Sequence, residues 1–434
     1  MSRVRVSRRG LVLGGGAAAL AGGTGGLLLE RARHAQIPLY SETVAFSAPA
    51  QRRLVPAGRP DEVVARTRVL EAGPWRSRLV EDEQEWLAAC APWVRGAADR
   101  DGLLHSALLD LRALTAGLPV AVAGWSPRWR YAWPRDVAFV ASALARVGRP
   151  DEAAAQLAFL QAVQRPDGWF EARYDVTSGA APDTRQPQLD GSAWVLWAAD
   201  QIGRYSPGRA HELVAPLRPM LVRAARLLLR SRDATTGLPP PSSDYWELVE
   251  DTLTLGTAAA VLAGLRSGTG ALRLAGEMAL ADRTEAAAVV LGRHVRDVFA
   301  PRGYPRLLGG DAPDAAVTFL VAPIGDPEPD VSLLVALDRA QTALSRPAGG
   351  LAPGASWKRD GISWTPETAL FAAAWAANGY PARAEALLTW LGQHRTAAGS
   401  FPEKVLHDGS PAAVAPLAWT AASVVIARHE LALR

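Results

Sequence analysis

From about Trp75 onward the chain is a succession of alanine- and leucine-rich stretches, broken by Gly and Pro, in which apolar residues recur at every third and fourth position. That spacing buries one face of an α-helix. It predicts helices over Glu83–Cys90, Leu103–Ala116, Arg135–Val147, Asp151–Gln164, Ser192–Ile202 and Leu213–Ser231. It continues with Thr252–Leu265, Arg283–Val298, Pro366–Ala377, Ala382–His394 and Leu417–Leu433. Strand-like alternation is rare, so the body, residues 75–434, is expected to be one all-α domain. Residues 36–74 carry Pro38, Pro56 and Pro60 among scattered polar positions. They read as an extended arm with one short helix at Asp61–Leu70.

The pattern repeats. Shifted by 231 positions, two helical hairpins superpose without a gap. Trp133 falls on Trp364, Asp136 on Glu367, Gly148 on Gly379, Pro150 on Pro381, Leu157 on Leu388, Gly168 on Gly399 and Phe170 on Phe401. In each copy a helix stops at a glycine, a proline opens the next, and that one ends before a Gly-x-Phe turn. Helical hairpins must stack to cover their apolar faces. The long offset implies several hairpins in between, and about six, at roughly 55–60 residues each, would close a toroid. The expected fold is therefore an (α/α)6 barrel, with inner helices converging on a central cavity and loops lining its mouth.

Charge is uneven in a way that matters. Residues 1–35 hold Arg3, Arg5, Arg8, Arg9, Arg31 and Arg33 against Glu30, so the formal +4 of the whole chain leaves about −1 for the rest. No basic face remains to suggest nucleic acid. The same leader has Ser7-Arg8-Arg9-Gly10-Leu11-Val12-Leu13 followed by a weakly apolar run to Leu29, which resembles a twin-arginine export signal. It predicts a body outside the cytoplasm, delivered by the twin-arginine machinery. The membrane is touched only if the leader stays uncleaved as an anchor. Cys90 is the single cysteine, which excludes an internal disulfide and a cysteine metal cluster. Fifteen tryptophans suggest a large helical core, a sugar-stacking surface, or both.

Four short segments could carry chemistry. Trp133-Pro134-Arg135-Asp136 opens a helix and offers a donor–acceptor pair under aromatics, suited to sugar hydroxyls. The same Asp also suits a helix start as plain structure. Gln188-Leu189-Asp190-Gly191 precedes another helix, where Asp190 also serves as an ordinary N-cap. Asp244-Tyr245-Trp246-Glu247 lies at a loop-to-helix junction after three prolines. A glutamate beside Trp is a candidate general acid, with Glu250 and Asp251 nearby. Gly399-Ser400-Phe401-Pro402-Glu403-Lys404 closes the second repeat and puts Glu403 where the first copy has Ala172. Two carboxylates on different loops are the minimum set for glycoside hydrolysis. No phosphate loop, serine elbow or histidine pair at metal spacing competes. Nothing asks for a metal, nucleotide or flavin, and no cofactor is expected.

On these motifs, joined by Pro416-Leu417-Ala418-Trp419, the chain resembles glycoside hydrolase family 15, the glucoamylase-like enzymes, over about residues 100–434. The resemblance implies inversion at the anomeric carbon, with Glu247 as general acid and Glu403 as general base. It implies that Trp133, Arg135, Asp136, Asp190, Trp246 and Trp419 bind or surround the innermost sugar of an α-linked oligosaccharide or disaccharide. Fungal members follow the acid with a second Glu, where this chain has Leu248. Many bacterial members place a β-sandwich before the barrel, where this chain has the leader and arm. Glucoamylase-, isomaltase- and trehalase-like substrates thus stay open. So do two other classes, a non-catalytic envelope sugar-binding protein on a hydrolase-like barrel and a lyase or phosphorylase on a similar frame.

Overall fold

The computed structural model describes residues 35–96, 99 and 101–434. The expected leader lies outside the described residues, apart from Ala35. Twelve long helices make up the body: α1 Arg76–Ala88, α2 Leu103–Thr115, α3 Pro134–Arg146, α4 Pro150–Val163, α5 Leu189–Tyr205, α6 Arg218–Ser231, α7 Leu255–Leu274, α8 Met278–Phe299, α9 Val331–Leu344, α10 Thr365–Ala377, α11 Pro381–Gln393 and α12 Ala418–Ala432. None of them is long and apolar enough to cross a membrane.

Packing closes eleven of these helices, α2–α12, together with one 3-10 helix into two concentric rings. The inner ring runs α3, α5, α7, a 3-10 helix at Ala315–Leu320, α10 and α12, each packed on the next, with α12 returning to α3. Outside it, α4 covers α3, α6 covers α5, α8 covers α7, α9 covers the 3-10 helix, α11 covers α10 and α2 covers α12. This is an (α/α)6 barrel. Its ring position explains the composition. An inner helix has neighbours on every side, so all thirteen residues of α3 are buried, polar ones included. Close neighbours demand small residues. A Cβ on Gly264 of α7 would lie 2.6 Å from the Ala193 backbone of α5. Outer helices keep a solvent face, as Arg218–Ser231 does with its alternating arginines and leucines.

Aromatic rings fill the barrel axis. Phe139 stands 5.3 Å from Trp194, 4.9 Å from Trp197 and 5.7 Å from Trp419, and Trp194 stands 5.0 Å from Phe319. Many of the tryptophans are thus core, and the barrel is plugged on the side away from the cavity described below.

Three local expectations change. The arm is a β-hairpin, Thr43–Ala48 antiparallel to Gln51–Val55, and the helix expected at Asp61–Leu70 shrinks to one 3-10 turn at Pro60–Glu62. Val63 and Leu70 instead pair as a bridge, in keeping with a β-branched run of Val63, Val64 and Val69. The stretch expected as one helix from Leu213 breaks at Val214 and resumes at Arg218, because Pro216 has no N–H to continue it. The segment Asp244–Glu250 is not a helix start, and the helix after it begins at Leu255, capped by Thr254.

Candidate active site

The loops at one end of the barrel enclose a cavity of about 210 Å³. At about 30 Å³ per water that is room for roughly seven waters, the scale of one sugar ring. Trp133, Arg135, Asp136, Trp246, Glu247, Glu403 and Trp419 all line it. Of the residues singled out from sequence, Asp190 alone does not. It sits behind the wall, where its Oδ2 accepts from Arg135 Nη1 at 2.9 Å and from Trp194 Nε1 at 3.2 Å. Asp190 belongs to the first turn of α5, whose N-cap is Gln188.

The two repeat copies build two walls of the cavity, separated on one side of the ring by α12. Trp133 and Trp364 each cap an inner helix, each followed by a proline in its first turn. One turn in, Asp136 and Glu367 are both buried and both face the cavity. Burial pushes the Asp136 carboxyl up to about 7; Arg135 opposes this and Glu247 adds to it. Burial pushes Glu367 up to about 8, helped by the charges of Glu403 and Asp314. One oxygen of Glu367 has no protein partner. Glu367 was absent from the sequence-derived site, although its register with Asp136 in the repeat was the signal that could have found it.

Arg135 is buried among carboxylates. Burial works against its charge, but Asp190, Asp136 and Glu247 together hold it above the ordinary guanidinium value. Its Nη2 stands 3.5 Å from Glu247 Oε1, and its guanidinium lies 5.3 Å from the Trp419 ring centre.

Glu247 is placed by a loop with its own buried ion cluster. Arg306 Nη1 reaches Asp244 at 3.1 Å and Asp314 at 3.5 Å, and its guanidinium stacks 3.6 Å from the Trp246 ring. Asp244 also accepts from the Trp246 N–H at 3.0 Å and the Thr254 hydroxyl at 2.8 Å. The Tyr245 hydroxyl donates to Asp314 at 2.6 Å. Burial raises Asp314 to about 6, with Arg306 opposing it. So held, Glu247 adopts φ +56°, a left-handed conformation that costs a non-glycine residue about 1–2 kcal/mol. The expected apolar surroundings of Glu247 are only half present. Its Oε2 pairs with Arg185, from the loop before α5, as its Oε1 pairs with Arg135.

Glu403 is placed by a ladder. Lys404–Val405 pairs with Ser363–Trp364 on one side and Pro411–Ala412 on the other, which fixes Glu403 beside the start of α10. Trp129 Nε1 donates to Glu403 Oε1 at 3.3 Å, and Lys404 Nζ lies 3.2 Å from its Oε2. The arm backs this loop. Tyr40 N–H donates to Ala413 O at 2.8 Å, Ala413 N–H donates to Pro38 O at 3.0 Å, Ser41 Oγ donates to Ala415 O at 2.7 Å, and Thr43 Oγ1 meets Ser400 Oγ at 2.6 Å. Sequence reasoning missed Trp129, Trp357 and Trp364 as lining residues, and Arg185 and Arg306 as partners. The register of Trp364 with Trp133 in the repeat could have found that one; the spacing of the others carries no local signal.

Five indole N–H groups that line the cavity, those of Trp133, Trp246, Trp357, Trp364 and Trp419, are buried with no protein acceptor. With four carboxyl side chains and one guanidinium among them, the cavity can grip a compact ligand rich in hydroxyls.

No family model and no curated protein matches the chain. Solved structures do. A glycosidase is similar at 22% identity and TM-score 0.62, over 77% of this chain and 99% of that one, and one variant of it is recorded in complex with glucose. A bacterial glucoamylase complexed with acarbose is similar at 16% identity and TM-score 0.68, over 82% of this chain and 59% of that one. Glucoamylase from Saccharomycopsis fibuligera is similar at 14% identity and TM-score 0.56, over 72% and 89%. At these identities the likeness establishes the barrel.

Proposed function

We propose that this protein is an inverting glycoside hydrolase that releases glucose from an α-glucoside, with Glu247 as general acid and Glu403 as general base. The observation that carries this reading is that both glutamates, supplied by separate loops, open onto one sugar-sized cavity walled by indole rings. The glucose and acarbose complexes of similarly folded proteins support a sugar in that place.

In the proposed reaction Glu247 passes a proton to the glycosidic oxygen as its bond to the anomeric carbon breaks. Glu403 takes a proton from a water whose oxygen bonds to that carbon from the opposite face. Inversion needs the water between base and sugar, and hence carboxyls about 6.5–9.5 Å apart. Arg135 and Asp136 hold hydroxyls of the innermost sugar, and the tryptophans exclude water around it. Asp190 acts through Arg135 and is a positioning residue. The leader over residues 1–35 fits a protein that works outside the cytoplasm after twin-arginine export.

The test is turnover of maltose, isomaltose, trehalose and dextrin, with the released anomer followed by NMR. β-Glucose should be the first product. Glu247→Gln and Glu403→Gln should each lose about 10²–10⁴ in rate. Undiminished turnover in both variants, or α-glucose as first product, would overturn the assignment.

A further inference from the structure

The mouth of the cavity differs chemically from its floor. Arg135, buried, takes the inner oxygen of Glu247, whereas Arg185, largely exposed, takes the other at the rim. Under the proposed reaction the general acid stands on the leaving-group side, so Arg185 marks the place where the aglycone sits. Each oxygen of Glu247 is taken by a guanidinium. One must come away before Glu247 can pass a proton to a leaving oxygen, and Arg185 is the one free to swing into solvent.

The chain's two lysines also lie near this mouth. Beyond the leader the chain carries about −1, and nearly every cation is arginine; its only lysines are Lys358 and Lys404. Neither lines the cavity, but each lies beside an indole that does. Lys358 Nζ lies 5.6 Å from the centre of the Trp357 ring, and Lys404 Nζ 4.3 Å from that of Trp364, two of the lining indoles. Lys404 is paired with Glu403. Lys358 is exposed and has no carboxylate within ion-pairing distance among the described residues. Asp183 is the one other carboxylate paired with Arg185, and it is shared with Arg173. The next residues along the rim, Leu248 and Val249, are apolar and 47% and 78% exposed. They offer a second sugar no side-chain hydrogen bonds.

We propose that the leaving-group side of this cavity takes an anionic aglycone, with a carboxylate or phosphate near the scissile bond that engages Arg185 and Lys358 and draws Arg185 off Glu247. The substrate would then be an acidic α-glucoside rather than a neutral glucan. A guanidinium binds either anion in a bidentate manner, and binding this substrate would itself free the general acid. The idea rests on the hydrolase reading given above.

The test compares 4-nitrophenyl α-glucoside with the same glucoside bearing a carboxylate, or a phosphate, on the ring. The charged compounds should be cleaved at least tenfold better in kcat/KM at low ionic strength. The margin should shrink as salt screens the rim. The better of the two identifies the anion. Arg185→Gln should bring the charged-to-neutral ratio close to one, chiefly through KM, and Lys358→Gln should lower it partway. Equal or better turnover of the neutral glucoside overturns the proposal. Calorimetric binding of the charged and neutral glucosides to Glu403→Gln separates the two ideas. Tighter binding of the charged compound with no turnover by the parent protein keeps the anion site and sinks the hydrolase. Equal binding sinks the anion site.

Discussion

The hairpins α3–α4 and α10–α11 share one frame and bring different side chains to the cavity. Both inner helices begin at a tryptophan cap and carry a buried carboxyl one turn in. Both hairpins turn through glycines at positive φ, Gly148 and Gly379 between the helices, Gly168 and Gly399 after them. At Gly168 that freedom is compounded by crowding, since a Cβ would meet Arg223 O at 2.4 Å. Two differences matter at the cavity. The residue before the carboxyl is Arg135 in one copy and Pro366 in the other, and the loop ends on Ala172 in one and Glu403 in the other. The first copy thereby holds a cation, the second a pair of carboxyls with no arginine beside them. The frame sets where side chains converge, and single positions in it set what they do.

The sharpest way to break the comparison is to move the carboxylate. Glu403→Gln should cut glucose release by about 10²–10⁴. Ala172→Glu added to that variant should restore none of it, because the three-stranded ladder that holds Glu403 against α10 is reduced beside Ala172 to the single bridge of Ala132 with Tyr174. Recovery in the double variant, measured as initial rate, would mean that the two loops are interchangeable.

Next in size is the cation. Arg135→Met leaves Asp190 buried without its ion partner and should cost about 3–5 kcal/mol by denaturant unfolding. Asp190→Leu on top of it should recover much of that, since an apolar pair often replaces a buried ion pair at little cost. If the single variant unfolds like the parent, Arg135 is not neutralising the buried cluster.

The carboxyls themselves give a smaller, pH-dependent effect. Glu367 holds its proton up to about 8, against about 4.5 in an unfolded chain. Between those values the folded state keeps a proton that the unfolded state has lost, so stability falls as pH rises and levels off above 8. Glu367→Gln removes this dependence. Its stability relative to the parent should therefore rise by up to a few kcal/mol from pH 5 to pH 9. The same substitution strategy at Asp136, which sits near 7 because Arg135 opposes burial there, should give a smaller change over a narrower range. A pH-independent difference for Glu367→Gln would show that its proton is not held.

Much of this frame could be read in advance because helices announce themselves locally. The repeat offset that carries Pro134 to Thr365 also carries Arg146 to Ala377, and those are the observed ends of α3 and α10. Three-dimensional partners left no such mark. Arg306 stacks on Trp246 from far along the chain, and Arg185 reaches Glu247 from a loop with no helical period. Asp190, expected from its motif to bind or surround the sugar, lies at the back of the wall and accepts a hydrogen bond from Arg135. The arm failed for another reason. Its prolines suggested irregular chain, yet Thr43–Ala48 and Gln51–Val55 pair, and Thr43 to Phe46 are buried on both faces, which leaves no alternation to read.

That arm supplies the smallest test, because it braces only one of the two repeat loops. Ser41 and Thr43 bond to Ala415 and Ser400 around the Glu403 loop, whereas the loop ending at Ala172 rests on α6 through Gly168. Ser41→Ala should cost about 1 kcal/mol in unfolding and lower kcat modestly, leaving KM nearly unchanged, since the proposed base Glu403 loosens while Arg135 and Asp136, the proposed sugar-binding pair, stay in place. A rise in KM with kcat intact would instead tie the arm to substrate binding. That outcome would place the asymmetry between the two hairpins at the mouth of the cavity rather than beneath Glu403.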